Sequence, residues 1–153
     1  MDPSALGNPP IAILIVESNP ADARLIAEAF SDAGVAGKIP HVDNGEDVIS
    51  YLRREPPFQD TKRPDLILLD LNLPRKSGLE VLEEIRATES LSCIPVIILS
   101  GSGNPADIKN AYRTGANCYV RKPTGLDEFL ELIKICHQFW GKTVSLPPGP
   151  EQN

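Results

Sequence analysis

No segment of the 153-residue chain approaches the run of about 18 apolar residues that a membrane-spanning helix requires, so no membrane partner is expected. The opening Met1-Asp2-Pro3-Ser4 has no basic stretch and no apolar stretch behind it, so no secretory signal is expected either. Basic residues are in deficit: 15 Lys and Arg face 21 Asp and Glu, a net charge of −6. That balance argues against a nucleic-acid surface built on bulk charge. Cysteine is scarce. Cys93, Cys118 and Cys136 are odd in number and too scattered for a zinc site, and they suit buried thiols in a reducing cytoplasm better than a disulfide framework. These absences leave one soluble cytoplasmic domain, whose 41% hydrophobic and 24% charged residues are close to the globular average.

Three runs are almost wholly apolar: Ile11-Ala12-Ile13-Leu14-Ile15-Val16, Leu66-Ile67-Leu68-Leu69 and Val96-Ile97-Ile98-Leu99. Continuous rather than alternating hydrophobicity marks strands buried on both faces, as in the centre of a parallel sheet. Lys38 to Val42 and Asn117 to Arg121 are shorter and more polar, which suits sheet edges. Asn19-Pro20-Ala21-Asp22 and Asn104-Pro105-Ala106-Asp107 each place Asn at N-cap, Pro at N1 and an acid in the first turn. Gly34 and Gly115 are placed to end their helices. The pattern predicts helices over 20–33, 45–54, 77–87, 105–114 and 124–140, with 55–64 as a loop. Residues 1–10 and 141–153, rich in Pro, Gly and polar residues, are expected to be mobile or to lie on the surface, flanking a domain over 11–140. Five alternating strand–helix units predict an α/β fold, a doubly wound five-stranded parallel sheet with right-handed crossovers. Such sheets take ligands at the carboxyl ends of their strands.

Those ends carry a coherent set of groups. The first strand runs out into Glu17-Ser18-Asn19, the third into Asp70-Leu71-Asn72, the fourth into Ser100-Gly101-Ser102 and the fifth into Arg121-Lys122-Pro123. Parallel neighbours lie about 4.8 Å apart, so if the first and third strands are adjacent, Glu17 and Asp70 come close enough to repel. One of them must then take a proton, or a cation must bind between them, and Mg²⁺ is the natural hard cation for such oxygens. Lys122 has a stem long enough to bring its ammonium beside Asp70, and a cis Lys122–Pro123 bond would aim it. Ser100 adds a hydroxyl that can donate to an oxyanion. Each residue alone has an ordinary explanation as a cap, turn or surface charge. Together they suit a carboxylate that accepts a phosphoryl group, whose incoming charge meets metal, ammonium and hydroxyl.

With these residues the chain resembles the receiver domain of two-component response regulators over nearly all of residues 10–140. The motifs are Ile13-Leu14-Ile15-Val16-Glu17, Asp65 through Pro74, Gly78, Ser100 and Tyr119-Val120-Arg121-Lys122-Pro123. The resemblance implies a (βα)5 flavodoxin-like fold with strand order 2-1-3-4-5. It implies Asp70 as phosphoacceptor, Glu17 as a metal-site acid, Asn72 as a backbone-carbonyl ligand to Mg²⁺, Ser100 as phosphate-sensing hydroxyl, Lys122 as phosphate-pairing lysine and Tyr119 as aromatic switch. The alternative for Tyr119 is a ring that simply closes the sheet edge.

More narrowly, the chain is similar to stand-alone regulators paired with bacterial phytochromes. The features are Asn-Pro-Ala-Asp after the first strand, the long insert before Pro64-Asp65, and the closing Phe139-Trp140 with Val144-Ser145-Leu146-Pro147. That similarity implies a phytochrome-type sensor histidine kinase as partner. The 13 residues after 140 are too few for an output domain, so signalling through bound partners rather than enzymatic turnover is expected.

One departure stands out. Receivers carry a second acid after the first strand, and this chain has Ser18, so weakened Mg²⁺ binding is expected. Asp22, one turn on, is a substitute only if its role in the helix's first turn does not already account for it. A receiver that signals without phosphate, as a plain binding module, is the alternative.

The last helix carries a core stripe of Leu126, Phe129, Leu130, Ile133 and His137, plus surplus apolar residues Leu132, Ile135, Cys136, Phe139 and Trp140. The surplus predicts either a covering tail, with Val144 and Leu146 folding back, or a homodimer through Leu132, Ile135, Phe139 and Trp140. A relay role for His137 is set aside in favour of a structural one. A haloacid-dehalogenase-type phosphatase would want a second Asp where Asn72 stands. A dinucleotide site at Gly101-Ser102-Gly103 lacks its third glycine and its ribose acid.

Overall fold

The computed structural model describes residues 10–149. Within them the order is β1 (Ile13–Val16), α1 (Pro20–Asp32), β2 (His41–Val42), α2 (Gly45–Leu52), β3 (Leu66–Leu69), α3 (Gly78–Ala87), β4 (Val96–Ser100), α4 (Pro105–Thr114), β5 (Cys118–Arg121) and α5 (Leu126–Gln138). A π-helical turn, Phe139–Thr143, continues α5. The strands form one parallel sheet in the order β2-β1-β3-β4-β5, as expected. None of the described helices is long and apolar enough to cross a membrane.

The unbroken apolar runs are explained by two core layers. Leu14, Val16, Ile67, Leu69, Val96 and Ile98 face α2, α3 and α4, while Ile13, Ile15, Leu66, Leu68, Ile97 and Leu99 face α1 and α5. Alternate side chains of each central strand therefore enter different layers, and every position must be apolar. Asn19 and Asn104 cap α1 and α4 through their side-chain oxygens, each with Pro next in the helix. Gly78 is a steric requirement, because a Cβ there would run into the backbone of Asp70 and Leu71. The start of α3 is thereby pressed against the exit of β3.

Several boundaries differ from those read off the spacing. β2 is only His41–Val42, since Pro40 has no N–H to lengthen the ladder, although its carbonyl accepts from Ile15 N–H at 3.0 Å. α2 stops at Leu52, and Arg54 leaves the helix with φ of 56°. α5 ends at Gln138 rather than 140. Residues 141–143, expected to be mobile or to lie on the surface, complete the π turn, with Lys142 and Thr143 exposed and Val144 N–H closing on the Phe139 carbonyl at 3.0 Å. The core stripe of α5 is also corrected. Leu126 is 59% exposed because it sits in the first turn, ahead of Phe129, the first α5 residue to reach the core; Cys136 is buried in its stead. The expectations for residues 1–9 and 150–153 lie outside the described residues.

Candidate functional site: an acidic cluster closed by a lysine

β1 and β3 pair with Val16 opposite Leu69, so the residues that follow, Glu17 and Asp70, emerge side by side. Asp70 N–H donates to the Val16 carbonyl at 3.0 Å and Glu17 N–H to the Val42 carbonyl at 3.1 Å. The His41 ring hydrogen-bonds the Glu17 carbonyl at 2.8 Å, a support from the sheet edge that nothing in the sequence signalled. On the far side, Lys122 N–H donates to the Ser100 carbonyl at 2.7 Å, which sets the root of the lysine at the end of β5.

From that root the side chain crosses to the acids. Lys122 Nζ lies 2.5 Å from Glu17 Oε2, 3.1 Å from Asp22 Oδ2 and 3.3 Å from Asp70 Oδ2. One ammonium thus faces all three carboxylates and offsets their mutual repulsion. Asp22 joins the cluster, so its place in the first turn of α1 does not exhaust its role. The spacing signal was available, because a side chain one turn into α1 points back toward the strand ends.

The Lys122–Pro123 bond is trans, contrary to the cis form expected. Trans is the intrinsic preference of an X–Pro bond, and attraction to three carboxylates already fixes where the amine points.

Burial works against the Lys122 charge, but the hydrogen bond to Glu17, the charges of Asp70 and Glu17 and the bond to Asp22 outweigh it, and the amine is pushed up to about 12. Burial likewise raises the Glu17 carboxyl above its usual range. Asp70 adds to that rise, while Lys122 and the Asn19 N–H oppose it. Asp70 itself is held at both oxygens. Oδ1 accepts from Asn72 N–H at 3.0 Å and Oδ2 faces Lys122, with only 9% of the side chain exposed.

The remaining expected residues are near but differently engaged. Ser18 Oγ donates to the Asn72 carbonyl at 3.2 Å, so the serine hydroxyl sits on the very carbonyl that the resemblance assigns to a metal. Ser100 is buried, and its hydroxyl accepts from Ser102 N–H at 3.2 Å; no hydrogen bond joins it to Asp70 among the described residues. Tyr119 is half-buried and its hydroxyl donates to the Ser102 carbonyl at 2.8 Å. Ser102 Oγ in turn donates to Asp107 in the first turn of α4 at 2.5 Å. Ser102 therefore ties Ser100, Tyr119 and α4 together, a role the sequence reading missed because it saw only a polar residue between two glycines.

Among the described residues no three acidic, imidazole or thiol side chains make a closed metal cage. The donors present are the Glu17 and Asp70 carboxylates and the Asn72 carbonyl, all hard oxygens. They fit Mg²⁺, which takes one or two carboxylates and keeps its other ligands as water.

Comparison with known proteins agrees with this arrangement. Residues 13–134 match the response regulator receiver domain model. Response regulator Rcp1 of Synechocystis sp. is 37% identical over 140 residues, 92% of this chain and 95% of that protein. The phosphorylated cyanobacterial phytochrome response regulator RcpA superposes with a TM-score of 0.86 at 43% identity, covering 90% of this chain and 99% of the other. The Mn²⁺-bound form of Rcp1 gives 0.85 at 36% identity, covering 91% and 100%. With the sheet order, the four strand-end groups and these matches in agreement, the chain belongs to the response regulator receiver domain family.

Proposed function

We propose that this receiver accepts a phosphoryl group on Asp70 from a sensor histidine kinase, of phytochrome type, and signals by binding partners rather than by enzymatic turnover. The observation that carries the reading is the placement of Lys122 Nζ 3.3 Å from Asp70 Oδ2 while Asn72 N–H holds Oδ1. In the transfer, an Asp70 oxygen bonds to phosphorus as the bond from phosphorus to the donor's nitrogen or oxygen breaks. The leaving group departs with that electron pair and, if it is an imidazole, takes a proton from solvent. Lys122 meets the charge brought by the phosphoryl oxygens. Ser100 is the hydroxyl available to receive one of those oxygens, with Ser102 and Tyr119 set to relay its movement to α4. Mg²⁺, when held by Glu17, Asp70 and the Asn72 carbonyl, supplies further neutralisation of the same oxygens. The phytochrome pairing is supported by the similarity to RcpA and Rcp1.

Incubation with acetyl phosphate and Mg²⁺ is expected to add one alkali-labile phosphoryl mass to the peptide that contains Asp70. Absence of that adduct at saturating donor would leave the phosphate-independent binding module as the better description. That second reading has an observation in its favour: Ser18 brings no charge to the site and engages the Asn72 carbonyl. Ser18→Asp is accordingly expected to tighten Mg²⁺ by about tenfold, or ~1.4 kcal/mol, read by tryptophan or tyrosine fluorescence. Unchanged affinity would mean that Ser18 is not what limits the metal.

The same reading includes a homodimer through the end of α5. Ile135 is 53% and Phe139 49% exposed, while Leu132 and Trp140 are half-buried against the α1/α5 core and back them from behind. Phe139 stands edge-on to Trp140 with ring centroids 5.3 Å apart, a preformed aromatic corner. Sedimentation of Ile135→Ser/Phe139→Ser is expected to show monomer at concentrations where the parent protein is dimeric. A parent protein that sediments as monomer throughout removes the dimer.

A further inference from the structure

In the loop between β4 and α4, hydrogen bonds converge on Ser102. Its N–H donates to Ser100 Oγ at 3.2 Å and its carbonyl accepts from Tyr119 Oη at 2.8 Å. Its own hydroxyl accepts from Asn104 N–H at 3.2 Å and donates to Asp107 Oδ2 at 2.5 Å. The last of these is short and ends on a carboxylate, which makes it the strongest class among them. Asp107 stands in the first turn of α4, whose start is capped by Asn104 and set by Pro105. The Ser102–Asp107 contact therefore ties the loop to an anchored helix.

Packing holds the first part of this loop only loosely. Gly101 is exposed, and a Cβ there would meet no atom within 4 Å. A cavity of about 200 Å³ borders the loop, lined from the β4 side by Ser100, Ser102 and Asp107 and from the β3 side by Leu71 and Asn72. In the β3–β4 register Leu69 stands opposite Ile98, so Asp70 and Ser100 leave neighbouring strands one position apart. Open space thus lies between the two loops, yet among the described residues no hydrogen bond joins Ser100 to Asp70. The restraint on the loop is polar rather than steric.

We propose that Asp107 is a positioning residue that acts through Ser102 on Ser100. Its hold on the Ser102 hydroxyl keeps the β4–α4 loop, and with it the Ser100 hydroxyl, in the arrangement that does not bond Asp70. Release of that clamp lets Ser100 meet an oxygen of the phosphoryl group. The proposal rests on Asp70 being the acceptor and adds how that site is restrained. A ligand that binds only the released loop gains affinity in proportion as that state becomes more populated.

The test is an NMR titration of the full chain with beryllofluoride, a phosphoryl mimic, in the presence of Mg²⁺. Ser102→Ala removes the hydroxyl but keeps the N–H that faces Ser100 and the carbonyl that faces Tyr119. It is expected to bind the mimic about tenfold more tightly than the parent. Asp107→Asn keeps the shape and a neutral acceptor, and is expected to gain about threefold. The double variant should bind no more tightly than Ser102→Ala, because both changes act on one hydrogen bond. In the ligand-free variants, the amide signals of Ser100, Ser102 and Tyr119 should move toward their positions in the beryllofluoride-bound parent. A mere weakening of α4 would not move them in that direction. Equal or weaker binding by the variants, or gains that add in the double variant, would overturn the clamp while leaving Asp70 as acceptor. If neither parent nor variants bind the mimic and acetyl phosphate leaves no adduct, Asp70 is not the acceptor and the proposal falls with it.

Discussion

Asp70→Asn is expected to abolish the acetyl phosphate adduct while leaving the fold in place. Asparagine keeps the oxygen that accepts the Asn72 N–H and fits the same space, so the start of the β3–α3 loop is still held. It loses the nucleophilic carboxylate, and with it the only group in the cluster that is held by Asn72 N–H on one side and faced by Lys122 on the other. Stability changes little because two effects oppose each other. Lys122 loses one of three anionic partners, and Glu17 loses a like charge that helps to raise its carboxyl. A net change within about 1 kcal/mol in urea unfolding is expected, with phosphoryl incorporation falling to background. A variant that still takes the label would place the acceptor elsewhere.

Lys122→Met is expected to have the largest effect on stability. Three carboxylates converge on one ammonium whose side chain is 14% exposed, and Glu17 beside it is 2% exposed. Removing the cation leaves the acids to repel each other with little water to screen them. The expected loss at neutral pH is about 3 kcal/mol, seen as a melting temperature lowered by about 6–12 °C.

The pH dependence has a definite sign in the parent and in the variant. In the parent, the Lys122 amine titrates at about 12 when folded and near 10.5 as its ordinary value. Its stabilisation is complete below 10.5 and disappears as pH rises toward 12, and the variant should lack that alkaline loss. Glu17 behaves oppositely to a typical paired acid. Burial raises its folded carboxyl, so this group favours the folded state on the acid side and costs stability as pH rises through its folded value. Without Lys122 that cost grows, and the variant should regain stability relative to the parent on mild acidification or when Mg²⁺ supplies a cation. Equal stability of the two proteins from neutral pH to pH 5 would show that the ammonium is not what balances the cluster.

The strand-end rule made the site legible before any coordinates. Glu17, Asp70, Ser100 and Lys122 each follow or close an apolar run, and parallel pairing of those runs forces them to one edge. Long-range hydrogen bonds were not legible in the same way. Nothing local to Ser18 points to the Asn72 carbonyl, and nothing local to His41 points to the Glu17 backbone, because each pair meets only through strand order and register. Leu126 shows the limit of periodicity: its angle on α5 matches the core stripe, yet its height along the helix leaves it 59% exposed.

The linear chain by itself determined the α/β class, the two-sided burial of the three central strands, the capped starts of α1 and α4, and the four chemical groups at one sheet edge. These follow from nearest-neighbour chemistry, apolar runs and capping residues, which act over a few positions. Only the tertiary structure decided that Lys122 occupies the centre of the acids, that Asp22 joins them, and that α5 runs on into a π turn at Phe139–Thr143. Those outcomes depend on charges and packing between segments as far as 105 residues apart, which meet only once the sheet has been assembled.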